Sequence, residues 1–270
     1  MPTITIPGGE TIWYKKTGTG KPVLQIHGSA FGHHNFARMT PLMAESFEVI
    51  DFDLPGYGES TGSLREGGMA GIAEIVYEFI VALGYDKVSL HGTSFGAMIG
   101  VNLAARHPEV IDRLVFSCFV AKYDLAARMM RKTWKQAARD SGMTAVTDLT
   151  SVAGFARGYY ERPEAQAQFD EMYEAFSATE PEAFIKGTET IEATDLSPLL
   201  PRLTMPTLLL GGAEDNMTPF RTAPSGVGFS QIATILPNCE MHILEDCGHY
   251  LVIEQPAEAA RLATEFLLRA

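Results

Sequence analysis

His91-Gly92-Thr93-Ser94-Phe95-Gly96 is the stretch whose reading decides the fold. Val88 and Leu90 lead into it with strand-like alternation. Residues 95–106 leave it with a helical pattern in which Ala97, Gly100, Ala104 and Ala105 are small enough to pack closely on a sheet. A serine at such a junction, with a glycine two positions away on either side, belongs on a sharp, strained strand-to-helix turn. Its Oγ then projects above the sheet edge, and Gly92 and Gly96 give the turn room. The helix that follows aims backbone N–H groups and its dipole at the same point. Five residues of G-x-S-x-G alone are a common coincidence; the strand before and the helix after give them meaning.

Outward from this turn, short β-rich runs alternate with helical ones. Strands are expected at 3–7, 11–16, 22–27, 47–52, 87–91, 113–119, 207–211 and 241–245. The first two are separated by Gly8-Gly9 as a hairpin, and the later ones by helix-length crossovers that parallel pairing requires. Ile72, Ile75, Val76, Phe79, Ile80 and Leu83 recur at steps of three and four before Gly84, and Pro256 opens a last amphipathic helix over 257–269. The fold class is therefore α/β: an about eight-stranded, mostly parallel sheet with helices on both faces. Between 122 and 195 no strand-like run occurs, while Ala, Glu, Met and aromatic residues concentrate. This segment reads as a helical insertion, 122–195, into a core built from 1–121 and 196–270.

Bulk properties narrow the function. A chain of 270 residues can bury a large core as a single α/β domain without staples. A formal net charge of -12 argues against a nucleic-acid partner, which needs a basic face to displace counterions. The three cysteines, Cys118, Cys239 and Cys247, show no metal-type spacing and fit the thiols of a reducing compartment. No basic-then-apolar leader opens the chain and no run approaches the roughly 20 apolar residues of a membrane span. A cytoplasmic protein with a small-molecule substrate, no membrane partner, no metal and no cofactor is expected; the oligomeric state is open.

A serine hydroxyl needs a base, and the base an orienting carboxylate. Of seven histidines, His249 lies just after the last expected strand, in Asp246-Cys247-Gly248-His249-Tyr250, where a loop can swing an imidazole over a serine on the same sheet edge. His91 precedes the serine turn and reads as buried structure, His107 as a helix terminus and His242 as a strand start. The carboxylate should follow another strand end, and Glu214 and Asp215 both do so after 207–211. The strand over 113–119 offers none until Asp124. The order serine, acid, histidine fits this architecture. An oxyanion would need two preorganised N–H donors. Phe95, next after the serine, supplies one; Ser29, or else Ala30, in His27-Gly28-Ser29-Ala30-Phe31-Gly32 supplies the other.

With these residues assembled, the chain resembles the α/β-hydrolase superfamily over nearly its whole length. His27-Gly28 looks like the superfamily's oxyanion-loop HG, and 53–60 like its D-x-P-G-x-G-x-S turn. Thr93-Ser94-Phe95-Gly96 looks like its nucleophile elbow. Asp215 with Pro219 looks like its acid loop, and Gly248-His249 with Glu254 and Pro256 like its histidine loop. The resemblance implies the α/β-hydrolase fold, selects Asp215 over Glu214, and makes Ser94, Asp215 and His249 the expected catalytic residues. It also makes 122–195 a cap between the sixth and seventh strands. A serine at 94 excludes the aspartate-nucleophile branches.

The implied activity is hydrolysis of a small, largely apolar carboxylic ester or lactone. The Cys-Gly-His spelling and the cap are also similar to meta-cleavage-product C–C hydrolases, which use the same residues on a vinylogous diketone acid. Those enzymes need a cation for the substrate carboxylate, here Arg128, Arg131, Arg157 or Arg162. A hydrolase-like receptor without turnover is the reading from another class. Trp134, Tyr159, His33, Met217 and Tyr250 are the expected substrate contacts, although His33-His34 also reads as a pair of exposed loop residues.

Overall fold

The strands β1 (Thr3–Thr5), β2 (Thr11–Thr17), β3 (Lys21–Ile26), β4 (Phe47–Phe52), β5 (Val88–Thr93), β6 (Ile111–Ser117), β7 (Thr207–Gly212) and β8 (Cys239–Leu244) form one sheet. Its order is β1-β2-β4-β3-β5-β6-β7-β8 in the computed structural model, which describes residues 2–269. β1 and β2 pair antiparallel and β2 joins β4 antiparallel; every later pairing is parallel. The helices are α1 (Thr40–Met43), α2 (Gly68–Ala82), α3 (Phe95–Arg106), α4 (Leu125–Gly154), α5 (Ala165–Ser177), α6 (Pro181–Ala193), α7 (Phe229–Ile235), α8 (Leu251–Glu254) and α9 (Pro256–Leu267).

Strand periodicity divides the core. Leu24, Ile26, Ile50, Phe52, Leu90, Leu114, Phe116 and Leu209 point to one face and pack with α2, α3 and α7. Val23, Val49, Val115, Leu208 and Leu210 point to the other and pack with α1 and α9. Because successive side chains alternate across a strand and both faces are covered, the central strands read as continuous apolar runs.

Strand ends differ from the sequence-based expectation by one or two residues. β6 stops at Ser117 rather than 119 because Cys118 turns into the left-handed region, with φ 49°. β5 instead continues through Thr93 to the serine turn. Among the described residues of 122–195 there is no strand: α4, α5 and α6 fill it, with α4 broken at Gly142 (φ 77°). The segment's ends meet through an isolated bridge between Lys122 and Asp195 and an ion pair of 2.8 Å between their side chains. Asp124 caps α4 by accepting from Ala127 N–H at 2.9 Å, and its second oxygen accepts from Ala223 N–H. Among the described residues no helix is long and apolar enough to cross a membrane.

The serine turn explains why the positions two residues on either side of Ser94 are glycines. A Cβ on Gly96 would stand 1.9 Å from the Ile26 carbonyl oxygen, and one on Gly92 2.6 Å from the Gly96 oxygen. Neither obstacle is a movable side-chain end; both are backbone. Gly96→Ala should therefore push α3 off β3 and cost more than about 3 kcal/mol of stability, in the range of severe overpacking. Urea unfolding followed by circular dichroism measures this; a loss under 1 kcal/mol would show that the junction yields.

Candidate active site

Ser94 sits between β5 and α3 at φ 53°, ψ −112°. A non-glycine residue at positive φ carries strain that the surrounding structure must hold in place. The holding contacts are on both sides of the residue: Ser94 N–H donates to Ser117 O at 2.9 Å, and Ser94 O accepts from Met98 N–H at 3.2 Å. The outcome is that Oγ lies 3.0 Å from Nε2 of His249.

His249 follows β8 in the loop before α8. Its other ring nitrogen, Nδ1, lies 3.0 Å from Asp215 Oδ2. Asp215 is buried and its carboxylate is fully engaged. Oδ1 accepts from the Met217 and Thr218 N–H groups, each at 2.8 Å, and Oδ2 accepts from the Thr218 hydroxyl at 2.6 Å. Burial alone would raise its pKa, but the neighbouring His249 and the Thr218 bonds outweigh burial and hold it below the usual carboxylate range. An ionised Asp215 can only accept, so Nδ1 carries the proton. Nε2 is then the lone-pair nitrogen, and the Ser94 hydroxyl donates to it. Thr218 Oγ1, 3.1 Å from Nδ1, braces the same pair. Nothing in a pattern search for bases and acids points to Thr218; the signal is an Asp whose carboxylate folds back on the N–H groups two and three residues on.

The competing carboxylates are occupied elsewhere. Glu214 accepts from Arg157 N–H at 2.8 Å, and Asp124 caps α4. Three other histidines are likewise committed. His91 is buried against Ser117 Oγ at 2.8 Å, and burial lowers its pKa to about 3. His27 accepts the Leu54 N–H at Nε2 and so donates from Nδ1 to Gly28 O. His107 stacks on Tyr77.

The expected oxyanion donors separate. Gly28 N–H is consumed by Asn35 Oδ1 at 2.7 Å, whereas neither Ser29 N–H nor Phe95 N–H finds an acceptor among the described residues. Ser29 lines the cavity above Ser94, while Ala30, at φ 75° and fully buried, does not. The space this cavity leaves over Ser94 is small, about 30 Å³.

Of the expected substrate contacts, Trp134, Met217 and Tyr250 line the cavity beside Ser94 and His249. Two lie elsewhere. Tyr159 is buried one layer away, stacked on Phe155 with ring centroids 4.5 Å apart. His33 is held by Asp53, which accepts from its backbone N–H and from Nδ1, and its ring packs on Trp13. It thus serves the loop rather than the cavity. Phe31, Thr150, Phe176 and Phe184 complete the wall without having been singled out. Helical spacing alone cannot separate such residues from ordinary core. Of the four arginines in 122–195 considered as carboxylate ligands, only Arg131 reaches the cavity. Arg128 and Arg157 are exposed, and Arg162 donates to Glu254 O.

The helical insertion is stitched to the histidine loop. Gly154 O accepts from His249 N–H at 2.6 Å, an approach possible because Gly248 has no Cβ to meet Gly154 O at 2.2 Å. Glu254 spans the seam: its two carboxyl oxygens accept from Gly248 N–H at 3.0 Å and Ala156 N–H at 2.9 Å. Beside the acid, Cys118 is a buried thiol whose pKa burial, then the Asp215 charge, pushes far up, so it remains protonated.

A family model described as alpha/beta hydrolase fold matches residues 21–256, and the chain belongs to that family: it is an α/β-hydrolase enzyme. It is 24% identical over 270 residues to a 2-hydroxy-6-oxo-6-(2'-aminophenyl)hexa-2,4-dienoic acid hydrolase of Metapseudomonas resinovorans, covering 97% of this chain and 89% of that one. It is 23% identical over 269 residues to the monoacylglycerol lipase abhd6-B of Xenopus laevis, covering 93% of this chain and 78% of that one. Among solved structures it is similar in fold to the enol-lactonase from Burkholderia xenovorans LB400, with a TM-score of 0.89 at 22% identity. That likeness covers 99% of this chain and 100% of the other.

Burial, opposed by the two backbone N–H groups, raises the Glu254 pKa from 4.5 to about 7. Between those values the folded chain holds a proton that the unfolded chain has released, so this group's contribution to stability is complete below pH 4.5 and is lost as pH rises through 7. Glu254→Gln should remove about one proton equivalent from the pH slope of stability between pH 5 and 7. Urea midpoints across that range measure it; an unchanged slope would contradict the assignment.

Proposed function

We propose that the chain is a serine hydrolase that cleaves a small carboxylic ester or lactone, apolar around the reacting carbonyl, through an acyl-enzyme. The observation that carries the reading is the unbroken hydrogen-bonded run Ser94–His249–Asp215 beside a cavity whose wall includes Phe31, Trp134, Phe176, Phe184 and Tyr250. Ser94 Oγ attacks the carbonyl carbon as His249 Nε2 takes its proton. Asp215 steadies the imidazolium so formed without itself being protonated. The negative charge on the carbonyl oxygen is met by the N–H groups of Phe95 and Ser29, whose lack of other acceptors leaves them oriented in advance. His249 returns the proton to the leaving alcohol. Water, deprotonated by the same imidazole, then releases the acid and restores Ser94. Residues 122–195 act in this reading as a cap: Trp134, Phe176 and Phe184 enclose the acyl group and exclude bulk water.

A second reading, hydrolysis of a C–C bond in a vinylogous diketone acid, is favoured by one observation, the cationic Arg131 in the cavity wall. A panel of acyl esters, lactones and ring-fission acids distinguishes the two by which class is turned over.

Ser94→Ala should lower kcat/KM on the best substrate of that panel by at least about 10³-fold. Asp215→Asn, which keeps the shape but favours the wrong tautomer of His249, should lower it by on the order of 10⁴-fold. Melting temperatures should stay within a few degrees for Ser94→Ala. Retention of more than a tenth of wild-type activity in either folded variant would refute the assignment.

A further inference from the structure

The 30 Å³ over Ser94 is room for roughly two water molecules, at about 10–15 Å³ for each. Even the smallest esters are larger, so an ester reaches Ser94 only where part of the wall gives way. One wall residue has open space behind it. Phe31 lines this cavity and also a separate recess of about 290 Å³. No other described residue lines both. The recess has a buried lining that includes Met172, Ala175 and Ile253, and an exposed one that includes Ala37, Glu171 and Glu174. It therefore runs from solvent inward and ends at Phe31.

The Phe31 ring is the partition. It meets Phe176 edge-on, with centroids 4.8 Å apart, and Tyr250 likewise at 5.3 Å, and both of these residues line the cavity. Two edge-on ring contacts are a modest hold, which the ring can leave without disturbing the fold. The backbone around it is fixed more firmly. Ala30 O accepts from the Thr179 hydroxyl at 2.9 Å, and His33 N–H donates to Asp53 at 2.6 Å. Opening is therefore a rotation of one side chain between staggered positions. The Ser29 N–H, two residues earlier on the same loop, stays in place for the oxyanion. Across the mouth, Arg38 and Glu171 pair at 3.3 Å with both side chains partly in water, a contact too weak to lock the recess.

We propose that this recess is the entrance by which substrate reaches Ser94, and that Phe31 gates it and so decides which esters are admitted. A displaced phenyl ring opens a passage about one ring wide. Unbranched chains and flat rings pass it; a chain ending in a tert-butyl group does not. The kinetic part of this inference rests on Ser94 being the reacting residue. The access part does not.

The kinetic test compares p-nitrophenyl heptanoate with its isomer p-nitrophenyl 4,4-dimethylpentanoate, which is branched well away from the carbonyl. The wild type should prefer the unbranched ester at least 10-fold in kcat/KM. Phe31→Ala should bring the pair within about 3-fold by raising the branched one. Equal turnover of the two by the wild type, or an unchanged ratio in Phe31→Ala, would overturn the proposal. Since any wall residue can alter size preference, the recess is also plugged from its outer end. Ala37→Cys/Cys239→Ser is assayed before and after reaction with N-benzylmaleimide; Cys118 and Cys247 are buried. The plug should lower kcat/KM on the heptanoate at least 10-fold, with no loss in similarly treated Cys239→Ser. An equal rate before and after plugging would show that substrate enters elsewhere.

Access is read without turnover through Trp134, which lines the cavity and is the sole tryptophan once Trp13 is replaced. The acrylamide quenching constant of Trp13→Phe should rise at least 3-fold on adding Phe31→Ala, and the plug should reverse that rise. Quenching that ignores both changes sinks the entrance, whatever becomes of the serine mechanism. Quenching that follows both, with no ester cleaved, supports the entrance and faults the serine mechanism alone.

Discussion

The rest of the molecule depends on one strained backbone turn, Ser94 at φ 53°, held where β5 meets α3. Left-handed backbone at a serine is unfavourable by roughly 1–3 kcal/mol and persists only when its neighbours leave no alternative. Here the Ser117 carbonyl anchors the N–H, and α3 is pressed so closely to the end of β3 that a methyl group at Gly96 would strike the Ile26 carbonyl. That approach places the N-terminal turn of α3, with its unpaired Phe95 N–H, beside the loop from β3 that contributes Ser29. The turn and the donor pair are therefore two results of one packing contact.

Among the described residues the other non-glycine positions at positive φ are Ala30, Cys118 and Asp246, each beyond the C-terminal end of a sheet strand. With Ser94 they mark the loops after β3, β5, β6 and β8, which together rim the site. Parallel strands all end on one edge, so loops that leave that edge face one another across it. Strain at several of these points is consistent with an edge organised around positions that chemistry needs rather than around backbone preference. The helical insertion closes over this edge and is itself tied to the histidine loop, through Gly154 O to His249 N–H and through Glu254 to Gly248 and Ala156. Movement of the insertion would thus be felt at the imidazole through a few short contacts.

Much of this was legible in the sequence because its causes are local. Apolar runs with strand length, the 3.6-residue period of α2 and the paired glycines around Ser94 each follow from rules that act within a dozen residues. The eight-stranded, mostly parallel sheet of an α/β-hydrolase follows from their alternation. Side chains that meet only through the tertiary fold were less legible. Thr218 gains its role from bracing His249, 31 residues on. His33, which as a loop histidine invites a substrate role, is taken by Asp53 in the turn after β4. Tyr159 and Trp134 look alike as aromatics of the insertion, and only the folded chain separates them: Trp134, on α4, lines the cavity, while Tyr159, in the short turn after α4, stacks on Phe155. Arg131 was one of four equivalent arginines until its place in the cavity wall set it apart.

The central proposal is that Ser94 is the nucleophile made reactive by His249. It is tested most directly by treating the folded protein with an alkyl fluorophosphonate and locating the adduct by peptide mass spectrometry. A single stoichiometric adduct on Ser94, formed at least 100-fold more slowly in His249→Ala, is the expected result. Labelling on another residue, or equal rates in the two proteins, would contradict it.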